Sequence, residues 1–118
     1  MSKTAMGFFE LICDRHKVAE FHRGDSWLHC ATSGPMLSFQ IFDNSRDYLT
    51  LANLLDHTSN IKQEDPEMEA ACQSFEFSIS CEDENQCQLF IDTVGGRTIF
   101  TADKQSFAEM AVWIREQY

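Results

Sequence analysis

Between residues 74 and 82 the apolar side chains Phe75, Phe77, Ile79 and Cys81 alternate with Ser74, Glu76, Ser78, Ser80 and Glu82. A period of two sends each set to its own face of a pleated strand. The stretch therefore has one dry face and one wet face, as a half-buried antiparallel sheet requires. Glu82-Asp83-Glu84-Asn85 breaks the alternation and reads as a turn. Residues 86–93 resume it, with Cys87, Leu89 and Ile91 on one face. Gly95-Gly96 marks a hairpin, because a primed turn needs positive φ and glycine adopts that without strain. Residues 97–101 make a third strand. Asp103 is placed to cap a helix, on which Phe107, Met110, Ala111 and Ile114 share one face. The simplest packing lays that stripe on Phe75, Phe77 and Ile79.

The first half reads in a similar way. Residues 5–16 are expected to be helical, with Phe8, Phe9, Leu11, Ile12 and Cys13 forming a broad stripe and Glu10, Asp14, Arg15 and Lys17 off it. Gly7 weakens that helix by about 1 kcal/mol relative to alanine. Residues 18–23 and 26–32 form a hairpin joined at Gly24-Asp25, with Phe21 opposite Leu28 and His22 opposite Trp27. A third strand, 36–42, offers Leu37, Phe39 and Ile41 to the core. Asp43-Asn44-Ser45 caps a helix over 46–57, on which Tyr48, Leu51, Ala52 and Leu55 align and Leu49 and Leu54 widen the stripe. After a linker, Asp65-Pro66-Glu67 has the layout of a short helix start, ending near Cys72.

The expected fold is α+β: a single domain over residues 1–118, with antiparallel sheet from two three-stranded meanders packed against helices, in the order α-βββ-α-α-βββ-α. A faint echo relates 5–57 to 64–118. A shift of 58 residues lays Ile41-Phe42 on Ile99-Phe100, Ser45 on Asp103, Arg46 on Lys104 and Leu49 on Phe107.

A chain of 118 residues is long enough for one core. No apolar run approaches the ~20 residues that span a bilayer, and the N-terminus lacks a signal peptide's layout. Five cysteines, an odd number without framework spacing, fit a reducing compartment. The expectation is a cytoplasmic protein without a membrane partner.

Charge narrows the function classes. The net charge is −10, and it is unevenly spread. Residues 63–92 hold nine acids, Glu64, Asp65, Glu67, Glu69, Glu76, Glu82, Asp83, Glu84 and Asp92, and no Lys or Arg. Residues 1–23 are slightly basic by comparison, with Lys3, Arg15, Lys17 and Arg23 against Glu10, Asp14 and Glu20. A field of this sign repels nucleic acid and attracts basic partners, although acidity also simply keeps a small protein in solution.

Catalytic and metal chemistry find little support. Cys13 and His16 share a face if the first segment is helical. His22, His29 and Cys30 lie on the first hairpin, and Cys81 and Cys87 flank the first turn of the second meander. Zinc needs four converging N or S donors, and no CxxC occurs. Free cysteines also serve as small core hydrophobes. A Cys81–Cys87 bridge would suit a turn of four or five residues, but a reducing compartment argues against it. Cys30 beside His29 is no dyad, because neighbours on a strand point to opposite faces. Cys13 with His16 lacks an orienting acid and an oxyanion signature. Glu82, Asp83 and Glu84 sit in a turn where nothing tunes a carboxylate for acid–base work. Gly95-Gly96 lies between strands and is no phosphate loop. Trp27, Phe21 and Phe39 suit a core better than a base-stacking platform. No cofactor motif is present.

What remains is a non-catalytic acidic binding module. Spaced carboxylates can imitate the phosphates of a duplex, which carries about one charge per 1.7 Å of axis. In size and charge the chain is similar to small acidic inhibitors of phages and mobile elements, such as anti-CRISPR and anti-restriction proteins. That resemblance implies a basic, nucleic-acid-handling partner protein, met through the nine acids above by a monomer or homodimer. In element order it resembles class I secretion chaperones. This second resemblance implies a homodimer whose first hairpin or helix 46–57 grips an effector segment. An immunity protein that neutralises a toxin is a third reading of the same size and charge.

Overall fold

Antiparallel pairing between strands that follow one another in the chain sets the layout of this protein. The computed structural model describes residues 7–24, 27–32, 37–40, 47–57, 68–71, 75–81, 85–93 and 96–117, of which 27, 37–40 and 68–71 are described by backbone alone. The elements run β1 (Phe8–Cys13), β2 (His16–Arg23), β3 (Trp27–Ala31), β4 (Leu37–Gln40), α1 (Asp47–Asp56), β5 (Met68–Ala71), β6 (Glu76–Ser80), β7 (Gln86–Thr93), β8 (Gly96–Asp103) and α2 (Lys104–Gln117). They form two four-stranded antiparallel sheets, β1-β2-β3-β4 and β5-β6-β7-β8, each a simple meander.

The α+β class holds, with both expected meanders present as β2–β4 and β6–β8. Each gains one strand that the sequence had suggested as helix. Residues 8–13 are β1, not part of a helix over 5–16. Leu11 faces the core at 0 % exposure with Phe9 and Cys13 packed beside it, while Phe8 and Glu10 lie outward. That is strand alternation, blurred because the outward positions include Phe8 and Ile12. The turn that follows also gives no glycine signal. Asp14 and Arg15 form a two-residue loop between Cys13 and His16 with φ of 48° and 72°, the positive values a type I′ turn demands. A bulge at Leu11/Ile12 leaves Val18 without a ladder partner and further disturbs the period. Likewise Met68–Ala71, within the expected Pro66 helix, is β5, paired on β6 from Met68↔Ile79 to Ala71↔Glu76. Asp65-Pro66-Glu67, the expected helix start, lies outside the described residues.

Arg15 carries a side chain in left-handed backbone, where L-residues lose about 1–2 kcal/mol. Arg15→Gly is expected to raise stability by about 1 kcal/mol, read as a higher urea midpoint at unchanged slope. A lower midpoint would show that the arginine side chain contributes more than its backbone costs.

The first hairpin also differs in register. Phe21 pairs with Cys30, His22 with His29 and Arg23 with Leu28, instead of Phe21 with Leu28 and His22 with Trp27. The slip is by two residues, so every side chain keeps its face. Phe21, Leu28 and Cys30 are all fully buried. Gly96, at φ 130°, pairs with Thr93 and opens β8; Gly95, the other half of the expected glycine turn, lies outside the described residues.

The core lies between the inner faces of the sheets and the two helices. Phe107, Met110, Ala111 and Ile114 are buried as expected, joined by Trp113. Their partners differ from the simplest packing: α2 lies on β1, β8 and α1, while α1 covers β5 and β6. Phe21 and Phe100 meet at 5.6 Å between the sheets, and Trp113 meets Phe9 at 5.9 Å.

Helix α2 is tied to the first sheet at both ends. The Ile12 N–H donates to Ser106 Oγ (2.8 Å), and the Asp14 N–H donates to the Asp103 carboxylate (3.2 Å). Asp103 thus occupies the expected cap position, but its carboxylate serves the β1–β2 turn; the Lys104 N–H finds the Asn85 carbonyl instead (2.9 Å). These bonds cover donors on the free edge of β1, an edge that would otherwise invite pairing. At the far end the Arg23 guanidinium donates to the Gln117 carbonyl, a cation at the negative end of the helix. A radius of gyration of 13.2 Å suits one globule of this length. Among the described residues no helix is long and apolar enough to cross a membrane.

Candidate functional site

The acids singled out in the sequence belong to, or lead into, the second sheet. Its inner face holds Phe77, Ile79, Cys87, Leu89, Ile91, Phe100 and Ala102, all buried. The opposite face carries the wet set in rows fixed by the ladder. One row runs Ala71, Glu76, Asp92, Arg97; the next runs Glu69, Ser78, Phe90, Ile99; a third holds Ser80, Gln88 and Thr101.

Two of the nine carboxylates are therefore direct ladder partners, Glu76 and Asp92. Glu69 stands opposite Ser78 on the neighbouring strand. Glu64, Asp65, Glu67, Glu82, Asp83 and Glu84 lie outside the described residues. The segments that carry them attach at Met68 and Ser80, which sit at the end of the sheet away from Glu76 and Asp92.

Like charges directly opposite each other destabilise a sheet. Arg97 offsets part of this: its Nε and Nη2 donate to the Asp92 oxygens at 2.7 and 3.1 Å. The Arg97 hydrogen bond holds the Asp92 carboxyl below its ordinary value. Both partners are exposed, so water and salt weaken the pair. Glu76 is solvent-exposed and forms no ion pair among the described residues. The first sheet has a parallel case. Glu10 stands opposite Glu20, and there Lys17 (2.9 Å) and His22 (2.6 Å) both reach Glu20.

The sequence reading did not single out Phe90, Ile99 and Arg97. Ile99 is 54 % exposed and Phe90 half-buried, ladder partners on the wet face. The Arg97 guanidinium lies 5.4 Å from the centre of the Phe90 ring, within cation–π range. Phe90 breaks the alternation of Cys87, Leu89 and Ile91, and Ile99 sits beside inward Phe100. Those two departures were legible, but their pairing needs the Thr93↔Gly96 register.

The cysteine and histidine candidates do not converge. Cys13 and His16 are the closing pair of a hairpin turn, not neighbours on a helix. Burial, then Asp103 and Asp14, push the Cys13 thiol up, away from the thiolate a nucleophile needs. Burial alone pushes Cys30 up to about 12. Phe21, fully buried, offers no surface for stacking; Trp27 and Phe39 are described by backbone alone. Among the described residues no group of three or more His, Cys, Asp or Glu side chains is placed to hold a metal. A depression of about 670 Å³ beside the start of α2 is lined by Arg15 and Lys104 but also by Asp14 and Asp103, so it focuses neither sign of charge.

Cys81 and Cys87 are joined by a disulfide. This differs from the expectation of two thiols. Ser80 pairs with Gln88, so the next residues outward, 81 and 87, face each other across the strand ends. Disulfides persist in oxidising compartments and are rare in the cytosol. The bridge therefore points away from the reducing compartment inferred from the cysteine count.

Compared with protein-family models, curated proteins and solved structures, the chain matches none of them.

Proposed function

We propose that this protein is a non-catalytic acidic binding module that occupies the basic, nucleic-acid-binding surface of a partner protein, in the manner of phage or mobile-element inhibitors such as anti-CRISPR and anti-restriction proteins. One observation carries the reading. Thirty residues with nine acids and no Lys or Arg contribute to or adjoin the second sheet, whose outer face sets Glu76 opposite Asp92. Solubility asks for charge on a surface, not for like charges directly opposite each other on neighbouring strands. Carboxylates held by a sheet keep fixed spacings, which is what competition with a phosphate backbone requires. The partner is a basic, nucleic-acid-handling protein.

The secretion-chaperone reading gains no such support. The chain's described elements open on a strand, and Phe21, Leu28, Leu51 and Leu55, which a partner groove would need, are fully buried in its own core. Nothing in the geometry favours the immunity-protein reading over the other two.

The test is affinity capture from host lysate at low and at high salt. It uses the wild-type chain and a variant with Glu64, Glu67, Glu82 and Glu84 all changed to lysine. A nucleic-acid-handling protein is expected on the wild type at low salt, lost at high salt and lost with the variant, whose fold is checked by circular dichroism. Retention by the folded lysine variant would refute the reading.

A further inference from the structure

The structure assigns a docking centre to the outer face of the second sheet: the Phe90–Ile99 pair, which takes an apolar side chain flanked by Lys or Arg on a basic polypeptide. This rests on the acidic-module reading above and adds where, and by what besides charge, the partner is held. On that face Ile99 is 54 % exposed and Phe90 half-buried, beside a buried Ser78. Ile99 is one of three large apolar side chains that the described residues leave exposed, and it has an aromatic neighbour on the adjacent strand. The Arg97 cation beside them is engaged by Asp92 through two hydrogen bonds. Its charge is thereby matched, while exposed Glu76, directly opposite Asp92, forms no ion pair among the described residues. The ladder position of Glu69 closes the other end of the Phe90–Ile99 row.

An apolar centre with charged groups at its edge, here exposed Glu76 and the Asp92–Arg97 pair, follows the usual anatomy of a binding patch, where a few desolvated contacts hold and the rim steers. The sign of the rim selects the occupant. A second copy of a chain with net charge −10 would bring carboxylates against carboxylates, whereas a basic segment brings the complement. Nucleic acid is excluded on the same ground.

Two synthetic peptides test the assignment. One is a short Arg/Lys peptide with a pair of central leucines; the other has serines in their place. Each is titrated into ¹⁵N-labelled protein at low salt. The leucine peptide is expected to bind on the order of tenfold more tightly, with amide shifts centred on Ser78, Phe90 and Ile99. Ile99→Thr keeps the β-branch and the fold, and should abolish the leucine preference. Ile99→Lys should weaken both peptides. Shifts centred elsewhere, or a leucine preference that survives Ile99→Thr, would overturn the docking centre and leave the acidic-module reading standing. Failure of both peptides to bind the wild type would overturn both. Concentration-dependent dimerisation lost in Ile99→Thr would replace the basic segment with a second copy as the occupant.

Discussion

Trp113→Ala is expected to lower the free energy of unfolding by about 3–5 kcal/mol, the range for emptying a buried tryptophan site. Trp113 is fully buried on α2, which lies on β1, β8 and α1 together. Its ring meets Phe9 at 5.9 Å, so the void would open between the helix and the first strand. Domains of this size are stable by about 5–15 kcal/mol in all, so the variant should be marginal at 37 °C. Urea denaturation at unchanged slope measures the loss. Trp113→Phe, which keeps a ring against Phe9, should recover more than half of it. A loss below about 1 kcal/mol for the alanine variant would mean that α2 is not seated on β1 as described.

Phe21→Ala is the second large effect, about 3–4 kcal/mol. Phe21 is fully buried on β2 and meets Phe100 on β8 at 5.6 Å with the rings tilted by 54°. The two sheets share no hydrogen-bonded ladder, so contacts of this kind join them. A double-mutant cycle with Phe100→Ala should show a coupling of about 0.5–1.5 kcal/mol, the contribution of an edge-to-face pair beyond its area. Additivity within about 0.3 kcal/mol would show that the rings act independently.

Where the sequence could be read and where it could not follows from what each signal encodes. The alternation of Phe75, Phe77, Ile79 with Glu76, Ser78 reports face and was legible, as was the hairpin that pairs Thr93 with Gly96. Register is a different quantity. Phe21 opposite Leu28 and Phe21 opposite Cys30 bury the same side chains, so hydrophobic pattern cannot choose between them; the hairpin connection does. β1 was missed because its turn uses Asp14-Arg15 instead of glycine, and because an outward Phe8 stacked on His22 at 6.0 Å resembles one edge of a helical stripe. β5 was missed because an aspartate–proline pair reads as a helix start whatever the tertiary partner is. The acidic run was plain from composition. That it places two acids on facing rungs, with Phe90 and Ile99 beside them, needed the ladder. Cys81 and Cys87 show the same limit: cysteine counting argued for free thiols, while strand pairing set the two residues opposite each other.

The order ββββα occurs twice, and each helix packs on the other half's sheet. α1 follows the first sheet yet covers β5 and β6; α2 follows the second and lies against β1 as well as β8. Arg115 on α2 also reaches Asp56 and Asn53 on α1, at 3.1 and 2.8 Å. Neither half is therefore a domain in its own right: each sheet, taken alone, would lose the helix that roofs it. The halves are reciprocal, and the chain between them joins two parts that complete one another. Cutting that connection is expected to leave two complementary fragments that reassociate through the same contacts.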